Sequence, residues 1–271
     1  MPDRATTPGT SSSAVRQSMR DVYERVETLC DLPPLPAVAV QAMNLVRDPD
    51  VTAEQLAQLV ATDVAIAARV LRLSRSALYA RRRPPRTLQD AITTVGLDAL
   101  RKILIAASAR SIYERRDRTA EALWSHALAT ALAADELAVL DGERRGGISF
   151  IAGLLHDVGR LVFHVARKHT GTPLPPEDEA GEIALYGVSH AAVGACLAEQ
   201  WRLEEELVEA ILFHHRSEGT GSRLAARIER ADRLAREIEA GTPTEAAADD
   251  RDAAVAARVV ETLDRERALF V

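Results

Sequence analysis

Apolar residues recur every three or four positions along most of this chain, which is the spacing of a helix that buries one face. No stretch shows the alternation of a half-buried strand, so the sequence predicts an all-α fold built as a multi-helix bundle. The predicted helices cover about residues 15–30, 37–47, a stretch beginning at 52, 64–73, 87–95, 97–114, 119–140, 150–168, 189–201, 204–215, 222–240 and 246–269.

Short polar side chains and prolines mark the ends of several of these helices. Thr52-Ala-Glu-Gln55 has the spacing of a capping box, in which the two outer side chains bond each other's backbone amides. Asp63 and Ser189 stand where they can cap the helices that follow. Leu32-Pro-Pro-Leu-Pro36 ends the first helix, because proline cannot continue one. Residues 170–181, which include three prolines, are predicted to be an irregular connection.

The pattern divides the chain into four parts. Residues 1–14 are rich in Ser, Thr and Pro and are predicted to be a disordered tail. Residues 15–116 form an N-terminal helical half, and residues 117–243 form a second helical half that contains all seven histidines. Residues 244–271 form a charged amphipathic helix, which either packs at the edge of the fold or pairs two copies of the chain as a homodimer.

Composition supports helices and narrows the function. The chain is 47% hydrophobic but only 4% aromatic, which favours closely packed helices over a β-sandwich. Its net charge of −6 argues against a surface shaped as a whole for nucleic acid. The arginine-rich loop at residues 75–86 is interpreted as solvated, the alternative being contact with nucleic acid or a phosphorylated ligand. Only Tyr79 interleaves there, so a base-stacking platform is not expected.

The sequence also bears on the compartment. Cys30 and Cys196 lie far apart and are predicted to be buried thiols in a reducing cytosol. No uninterrupted apolar run reaches about 18 residues, the length of a transmembrane helix. The N-terminus has no hydrophobic signal core. We therefore expect a cytoplasmic protein without a membrane segment.

One apolar stretch carries unusual polar groups. In Phe150-Ile-Ala-Gly-Leu-Leu-His-Asp-Val-Gly-Arg-Leu-Val162, His156 and Asp157 stand side by side among residues at the spacing of a buried helix. The pair is predicted to lie in the middle of one continuous helix. A buried charge persists only when it is paired or bound to metal, so the pair is a candidate metal site. Two glycines flank it and leave room for a neighbouring helix or a ligand.

Five of the seven histidines fall in or at the ends of separate apolar helices. Taken singly, each is more often a hydrogen-bonded core residue than a ligand. Taken together they indicate a shared role, because burying five imidazoles without one is costly. Imidazoles and carboxylates suit Fe, Mn, Zn or Ni, with Mg as a further choice, and a carboxylate can bridge two cations. His164 and His169 are instead predicted at the surface. The candidate ligands are His126, His156, Asp157, His190, His214, His215 and Asp232.

These residues resemble a known pattern. His126, the pair His156-Asp157 and Asp232 match in order the His…His-Asp…Asp motif of the HD superfamily of metal-dependent phosphohydrolases. A closer resemblance, over about residues 24–240, is to the HDOD domain, the HD-related output domain of bacterial signalling proteins. It implies an HD-type bundle with an N-terminal helical subdomain. It is carried by Leu32-Pro-Pro-Leu-Pro36, Asp48-Pro-Asp-Val-Thr-Ala-Glu-Gln-Leu56, Leu71-Arg-Leu-Ser-Arg-Ser-Ala-Leu-Tyr79, Asp90-Ala-Ile-Thr-Thr-Val-Gly96, Gly187-Val-Ser-His-Ala-Ala-Val-Gly194, Trp201 and His214-His215.

The chain departs from these families in several places. HDOD domains usually have Asp-Pro where this chain has Asp63-Val64, and Asn-Ser where it has Arg75-Ser76. Many HDOD domains have lost the HD ligands and are regulatory, whereas this chain keeps them. The other three histidines of the candidate set match the extra ligands of the HD-GYP cyclic-di-GMP phosphodiesterases, which hold two metals. The Gly-Tyr-Pro itself is absent, and Gly221-Ser222 stands in its place.

The resemblance implies two alternative functions. The first is a regulatory signal-transduction module that binds a signalling protein partner or a nucleotide. The second is a metal-dependent phosphodiesterase or phosphohydrolase acting on a cyclic dinucleotide or another phosphoester. In that case Asp157 bridges two cations, and Arg160, which stands where HD-GYP proteins have lysine, neutralises charge that develops on the phosphate.

Overall fold

The computed structural model of the protein describes residues 41, 51–62, 64–75, 85, 87–113, 117–143, 145–170, 178–241 and 250–270. The regular elements of these ranges are α-helices and one 3₁₀-helix, so the prediction of an all-α fold is confirmed. The predictions for residues 1–40, which include the disordered tail, the first helix and Cys30, lie outside the described residues. So do those for Asp63 and for residues 76–84 of the arginine-rich loop.

The helices follow one another with short connections. In chain order they are α1 (Ala53–Ala61), α2 (Val64–Ser74), α3 (Leu88–Val95), α4 (Leu97–Arg110), a 3₁₀-helix (Ser111–Tyr113), α5 (Arg118–Leu140), α6 (Ile148–Leu155), α7 (Val158–Thr170), α8 (Glu179–Tyr186), α9 (His190–Gln200), α10 (Glu205–Phe213), α11 (Arg223–Glu239) and α12 (Asp250–Phe270).

The predicted caps begin their helices as expected. The Thr52 hydroxyl accepts from the backbone amide of Gln55 at 3.2 Å, and the Gln55 side chain accepts from the Thr52 amide at 2.8 Å, which completes a capping box on α1. Ser189 accepts from the amide of Ala192 and caps α9. These contacts satisfy amide groups that the first turn of a helix leaves without partners.

The prediction of one continuous helix over 150–168 is wrong. The chain forms α6 and α7, with a turn at His156 and Asp157 between them. The His156 Nδ1 donates to the Gly153 carbonyl at 2.8 Å, and that carbonyl is the one that the Asp157 amide would use in an uninterrupted helix. The histidine ring therefore takes the place of a helical hydrogen bond. His156 itself keeps helical backbone angles, φ −54° and ψ −40°, so the interruption is short.

The sequence reasoning also missed α8, because residues 170–181 were predicted to be irregular. Asp178 caps this helix by accepting from the Gly181 amide at 2.7 Å, and Gly187 ends it in the left-handed region with φ 79°. Only Glu182 and Tyr186 of its eight residues are buried, so it lacks the apolar stripe that makes longer helices easy to recognise.

Small residues let the helices around α5 come close together. α5 packs against α6, α11 and α12, and a Cβ atom added to Gly153 of α6 would lie 2.7 Å from the Ala131 Cα of α5. A Cβ on Gly159 of α7 would overlap the carbonyl oxygen of His190, the first residue of α9. Glycine is therefore required at both crossings. The close crossings bring the polar residues of α5, α7, α9 and α11 within reach of one another.

The C-terminal helix α12 packs on its own chain. It lies against α5 and also contacts α11 and α4, with Val255, Ala256 and Val259 buried. Its polar contacts are ion pairs: Asp252, 2% exposed, meets Arg230 at 2.6 Å and Arg233 at 3.2 Å, both on α11. Helix α12 therefore joins the core through its apolar face and is tied to α11 by ion pairs.

Residues Ile148–Arg167 are apolar enough and long enough to cross a membrane, although no membrane segment was expected from the sequence. They correspond to α6 and most of α7. In the fold, 83% of this window is buried by the protein's own helices, as expected for a core segment.

Candidate metal centre

The seven predicted ligands, which come from five separate places in the sequence, meet at one point in the fold. His126 lies in α5, the pair His156-Asp157 lies at the turn between α6 and α7, and Asp232 lies in α11. His190 is the first residue of α9, and His214 and His215 follow α10. The packing of these helices brings residues up to 106 positions apart into contact.

Asp157 stands at the centre, and its two carboxylate oxygens face different imidazoles. Its Oδ1 lies 3.0 Å from His190 Nε2 and 3.6 Å from His214 Nε2. Its Oδ2 lies 3.7 Å from His156 Nε2 and 3.9 Å from His126 Nε2. A carboxylate between two groups of nitrogen donors has the geometry of a bridging ligand.

We call the first group, His126, His156 and Asp232, the α5 group. The Asp232 Oδ1 lies 3.0 Å from His126 Nε2 and 3.8 Å from His156 Nε2. Ligand atoms of His126, His156 and Asp157 all lie within 4.8 Å of one another. One cation at the centre of such a set can reach every donor after small side-chain movements.

We call the second group, His190, His214 and His215, the α9 group. The His190 Nε2 lies 3.2 Å from His214 Nε2 and 3.0 Å from His215 Nε2. Together with Asp157 these residues also offer ligand atoms within 4.8 Å of one another. Ring nitrogens that converge in this way, beside a carboxylate oxygen, suit a cation of the Fe, Mn, Zn or Ni type.

The outer ring nitrogens determine which inner nitrogens can bind a metal. The Nδ1 of His156 donates to the Gly153 carbonyl, and that of His214 donates to the Ile211 carbonyl at 2.7 Å. A neutral imidazole with a proton on Nδ1 has its lone pair on Nε2. The His156 Nε2 is buried and has no hydrogen-bond partner among the described residues. A buried, unpaired acceptor aimed at a carboxylate is costly unless a cation lies between them, so these residues fit a metal ion.

In the absence of metal, the imidazoles differ in protonation. Burial acts to lower the pKa of His190, but its hydrogen bonds to Asp157 and Glu182 outweigh burial and raise that pKa. Burial lowers the pKa of His156 to about 4 and, together with the neighbouring imidazoles, that of His215 to about 3, so both are neutral at pH 7. Burial disfavours the charged form of His126 as well, but hydrogen bonds to Asp232 and Glu239 outweigh it and raise its pKa to about 10. His126 therefore carries a proton that a metal must displace.

The carboxylates stay ionised. Burial acts to raise the pKa of Asp157, but the neighbouring imidazoles of His156, His190 and His214 outweigh it and hold that pKa well below its usual range. The same balance lowers the pKa of Asp232, where the hydrogen bond from His126 outweighs the effect of burial. The site therefore offers anionic oxygens at neutral pH, as divalent cations require.

The centre opens into a cavity of about 310 Å³. Arg160, the predicted phosphate-binding residue, lines this cavity, and its Nε lies 3.0 Å from Asp157 Oδ2. Arg236 also lines it and lies 2.8 Å from Asp232 Oδ2. Two guanidinium groups therefore border the route by which a ligand could reach the centre.

The sequence reasoning missed three residues of this site: Glu182, Arg236 and Glu239. Glu239 accepts from His126 Nδ1 at 3.0 Å, and Glu182 from His190 Nδ1 at 2.6 Å. Arg236 and Glu239 follow Asp232 by four and seven positions, so the period of a helix would have placed all three on one face. Glu182 gave no such signal, because its helix was not predicted.

One histidine was placed wrongly. His164 was predicted at the surface, but it is 1% exposed, and its Nε2 lies 2.9 Å from Asp117 Oδ2. Asp117 caps α5, so the pair ties α7 to the start of the helix that carries His126. Helix α7 is covered on more sides than its polar C-terminal sequence indicated. The His169 side chain lies outside the described residues.

The comparisons with known proteins agree with this architecture. The family model for the HDOD domain matches residues 32–217. An uncharacterised protein of Treponema pallidum (strain Nichols) is 30% identical over 195 residues, which are 68% of this chain and 38% of that protein. The chain thus spans less than half of the curated relative that it matches.

Solved structures share the fold. An HDOD domain protein of unknown function from Geobacter sulfurreducens has a TM-score of 0.71 at 24% identity, covering 94% of this chain and 98% of its own. A candidate signal transduction protein from Marinobacter aquaeolei VT8 also has a TM-score of 0.71, at 23% identity, covering 94% of this chain and 65% of its own. The family match spans more than half of the sequence and the structural likeness spans nearly all of it. The chain belongs to the HDOD-domain family.

Proposed function

We propose that this HDOD chain is a metal-dependent phosphohydrolase whose seven candidate ligands bind two divalent cations. The observation that carries the proposal is the position of Asp157, whose two oxygens face two separate sets of imidazole nitrogens. The α5 group would hold one cation, the α9 group would hold the other, and Asp157 would be shared. The abundance of imidazole favours a transition metal such as Fe, Mn, Zn or Ni over Mg.

The residues around the centre support phosphoester chemistry. Bound divalent cations supply Lewis acidity and lower the pKa of water. Arg160 and Arg236 line the cavity, and guanidinium groups match the geometry of phosphate oxygens. Arg160 forms an ion pair with Asp157, with its Nε 3.0 Å from Oδ2, which keeps the guanidinium beside the centre. Arg160 would neutralise charge that develops on the phosphate.

Metal analysis and hydrolysis assays of the purified protein test the proposal. The protein would be assayed for bound metal and for hydrolysis of cyclic dinucleotides and of bis(p-nitrophenyl) phosphate, with Asp157→Asn as the matched variant. We expect about two metals per chain and hydrolysis that the variant loses, because the amide cannot bridge two cations as a carboxylate does. Metal uptake without hydrolysis of any of these substrates would contradict the enzymatic proposal and leave a metal-binding module.

A second candidate function is a signal-transduction output module in which the metal serves binding or stability. The specific observation in its favour is that both cavity arginines are already paired with ligand carboxylates, Arg160 with Asp157 and Arg236 with Asp232. Such pairing reduces the charge available to a phosphate. In this case a signalling protein partner or a nucleotide would bind the metal-loaded domain and no turnover would occur.

We also infer a cytoplasmic location, supported by the burial of the apolar stretch Ile148–Arg167 within the fold. Division of the chain at about residues 116 and 243 into an N-terminal helical half, a metal-binding half and a C-terminal helix is part of the same proposal. Limited proteolysis with mass spectrometry of the fragments would test those boundaries.

A further inference from the structure

Glu182 carries a buried carboxylate and is not one of the seven candidate ligands. It lies on α8, its side chain is 0% exposed, and its Oε2 is 2.6 Å from the Nδ1 of His190. The same oxygen accepts from the backbone amide of His190 at 2.8 Å. One carboxylate oxygen therefore holds both the ring and the main chain of a single residue.

This double contact fixes where the inner nitrogen of His190 points. The bond to the backbone amide fixes the position of His190 at the start of α9, and the bond to Nδ1 fixes the rotation of its imidazole ring. Because Nδ1 donates to a carboxylate, Nε2 is the ring nitrogen left to bind a cation. This atom lies 3.0 Å from Asp157 Oδ1, 3.2 Å from His214 Nε2 and 3.0 Å from His215 Nε2. A carboxylate behind a metal-binding imidazole also raises its basicity.

Glu182 also faces the cavity arginine. Its Oε1 lies 3.7 Å from Arg160 Nη1, while the Arg160 Nε lies 3.0 Å from Asp157 Oδ2. Arg160 is thus held between the bridging ligand and Glu182. A carboxylate that is fully buried is costly unless its charge is balanced, and these two neighbours, His190 and Arg160, supply that balance.

From this geometry we propose that Glu182 is a positioning residue of the metal centre, which orients His190 toward the cation of the α9 group and Arg160 toward the cavity. The inference rests on the proposed function in that it requires metal at the centre, but it does not require hydrolysis. A purely structural role, in which Glu182 only satisfies the first amide of α9, predicts lower stability with unchanged metal affinity.

The test compares three variants of the full chain: Glu182→Gln, Glu182→Ala and the control Glu179→Gln. Glu179 lies on the same helix and pairs with the exposed Arg216 at 3.4 Å, and it is not among the described contacts of His190. Each metal-free protein would be titrated with Mn²⁺, and free Mn²⁺ would be followed by its electron paramagnetic resonance signal. Circular dichroism and thermal unfolding without metal would report the fold separately.

We expect Glu182→Ala to weaken one of two Mn²⁺ sites by about 10–100-fold, the range typical of partners behind a metal ligand. Glu182→Gln should lose less, because its amide oxygen can still accept from Nδ1, and it keeps the proposal testable if the alanine variant does not fold. The control should bind like the wild type. Wild-type affinity for both cations in a folded Glu182→Ala protein would overturn the inference.

The same titration separates this inference from the proposed function. Two Mn²⁺ per wild-type chain without hydrolysis, and one weakened in Glu182→Ala, would refute the phosphohydrolase and sustain the role of Glu182. Hydrolysis with unchanged Mn²⁺ binding in both Glu182 variants would sustain the phosphohydrolase and refute the role of Glu182. A wild-type chain that takes up no Mn²⁺, Zn²⁺ or Fe²⁺ would refute both.

Discussion

His126 and His190 have the same kind of partner behind the ring but lie in different surroundings. Each Nδ1 contacts a glutamate, at 3.0 Å for His126 and 2.6 Å for His190. The glutamate of His126 is 41% exposed at the mouth of the cavity, whereas that of His190 is fully buried. The inner nitrogen of His126 meets a second carboxylate, Asp232, at 3.0 Å, whereas that of His190 meets Asp157 and two other imidazoles.

The difference indicates how the two halves of the centre respond to metal. The ring of His126 lies between two carboxylates, so it keeps a proton when no cation is present, with its pKa raised to about 10. His190 also lies between two carboxylates, Glu182 and Asp157, and its pKa is raised as well, but the α9 group brings it together with two further imidazoles through buried contacts. We therefore expect both groups to exchange a proton for a cation, and the α9 group alone to be organised in advance for one.

The largest effect should come from the residue that the two halves share. Asp157→Asn should weaken both cation sites together and remove hydrolysis, because Asp157 faces both groups and its charge offsets two cations. Metal analysis after dialysis would measure the loss. His215→Ala is the comparison, since it should affect mainly the α9 group. An Asp157→Asn protein that loses only one cation would show that the carboxylate is not shared.

The next largest effect should come from the close packing of α7 against the start of α9. Gly159→Ala would place a Cβ against the backbone of His190, which cannot move aside without displacing α9, so we expect destabilisation of about 1–3 kcal/mol or more and weaker binding at the α9 group. Gly194→Ala is the matched comparison, because its Cβ would meet a side-chain methyl, Cγ2 of the buried Ile211, at 2.9 Å and not the backbone. Thermal unfolding measures both, and equal losses would contradict the assigned crossing.

The pH dependence of metal binding tests the role of His126 without changing the fold. Below a pH of about 10, metal-free His126 carries a proton that the cation must displace, so affinity at the α5 group should rise by about tenfold per pH unit between pH 7 and 9. His156, with its pKa lowered to about 4, adds no slope in this range. Mn²⁺ titrations at three pH values would measure the slope, and equal affinities at all of them would show that His126 is not a ligand.

The ligand types and most of the helices could be predicted from the sequence, whereas the way in which neighbouring side chains converge could not. The apolar period identified the helices of His126 and Asp232, and the resemblance identified their motif. The break at His156 arises from a ring-to-carbonyl bond with Gly153, which no periodicity reveals. Glu182 was missed because a short helix with two buried residues leaves no clear pattern. His164 was misplaced because its partner, Asp117, lies 47 residues away.

The smallest predicted effect distinguishes the two glutamates directly. Glu239→Gln removes one of the charges that raise the pKa of His126 but keeps an oxygen that can accept from Nδ1. The pKa of His126 should fall, so a cation displaces its proton more easily at pH 7. Affinity at the α5 group should therefore rise by roughly two- to fivefold. Above the pKa of His126 the sign should reverse, because a neutral amide makes the imidazole a weaker donor than a carboxylate does. Glu182→Gln should also lower the pKa of its histidine, His190, but the loss of the buried carboxylate that orients the ring should outweigh the weaker competition from the proton, so affinity should fall at every pH. Parallel Mn²⁺ titrations of both variants at pH 7 and at high pH measure the two signs, and a uniform loss in Glu239→Gln would mean that the exposed glutamate supports its histidine as the buried one does.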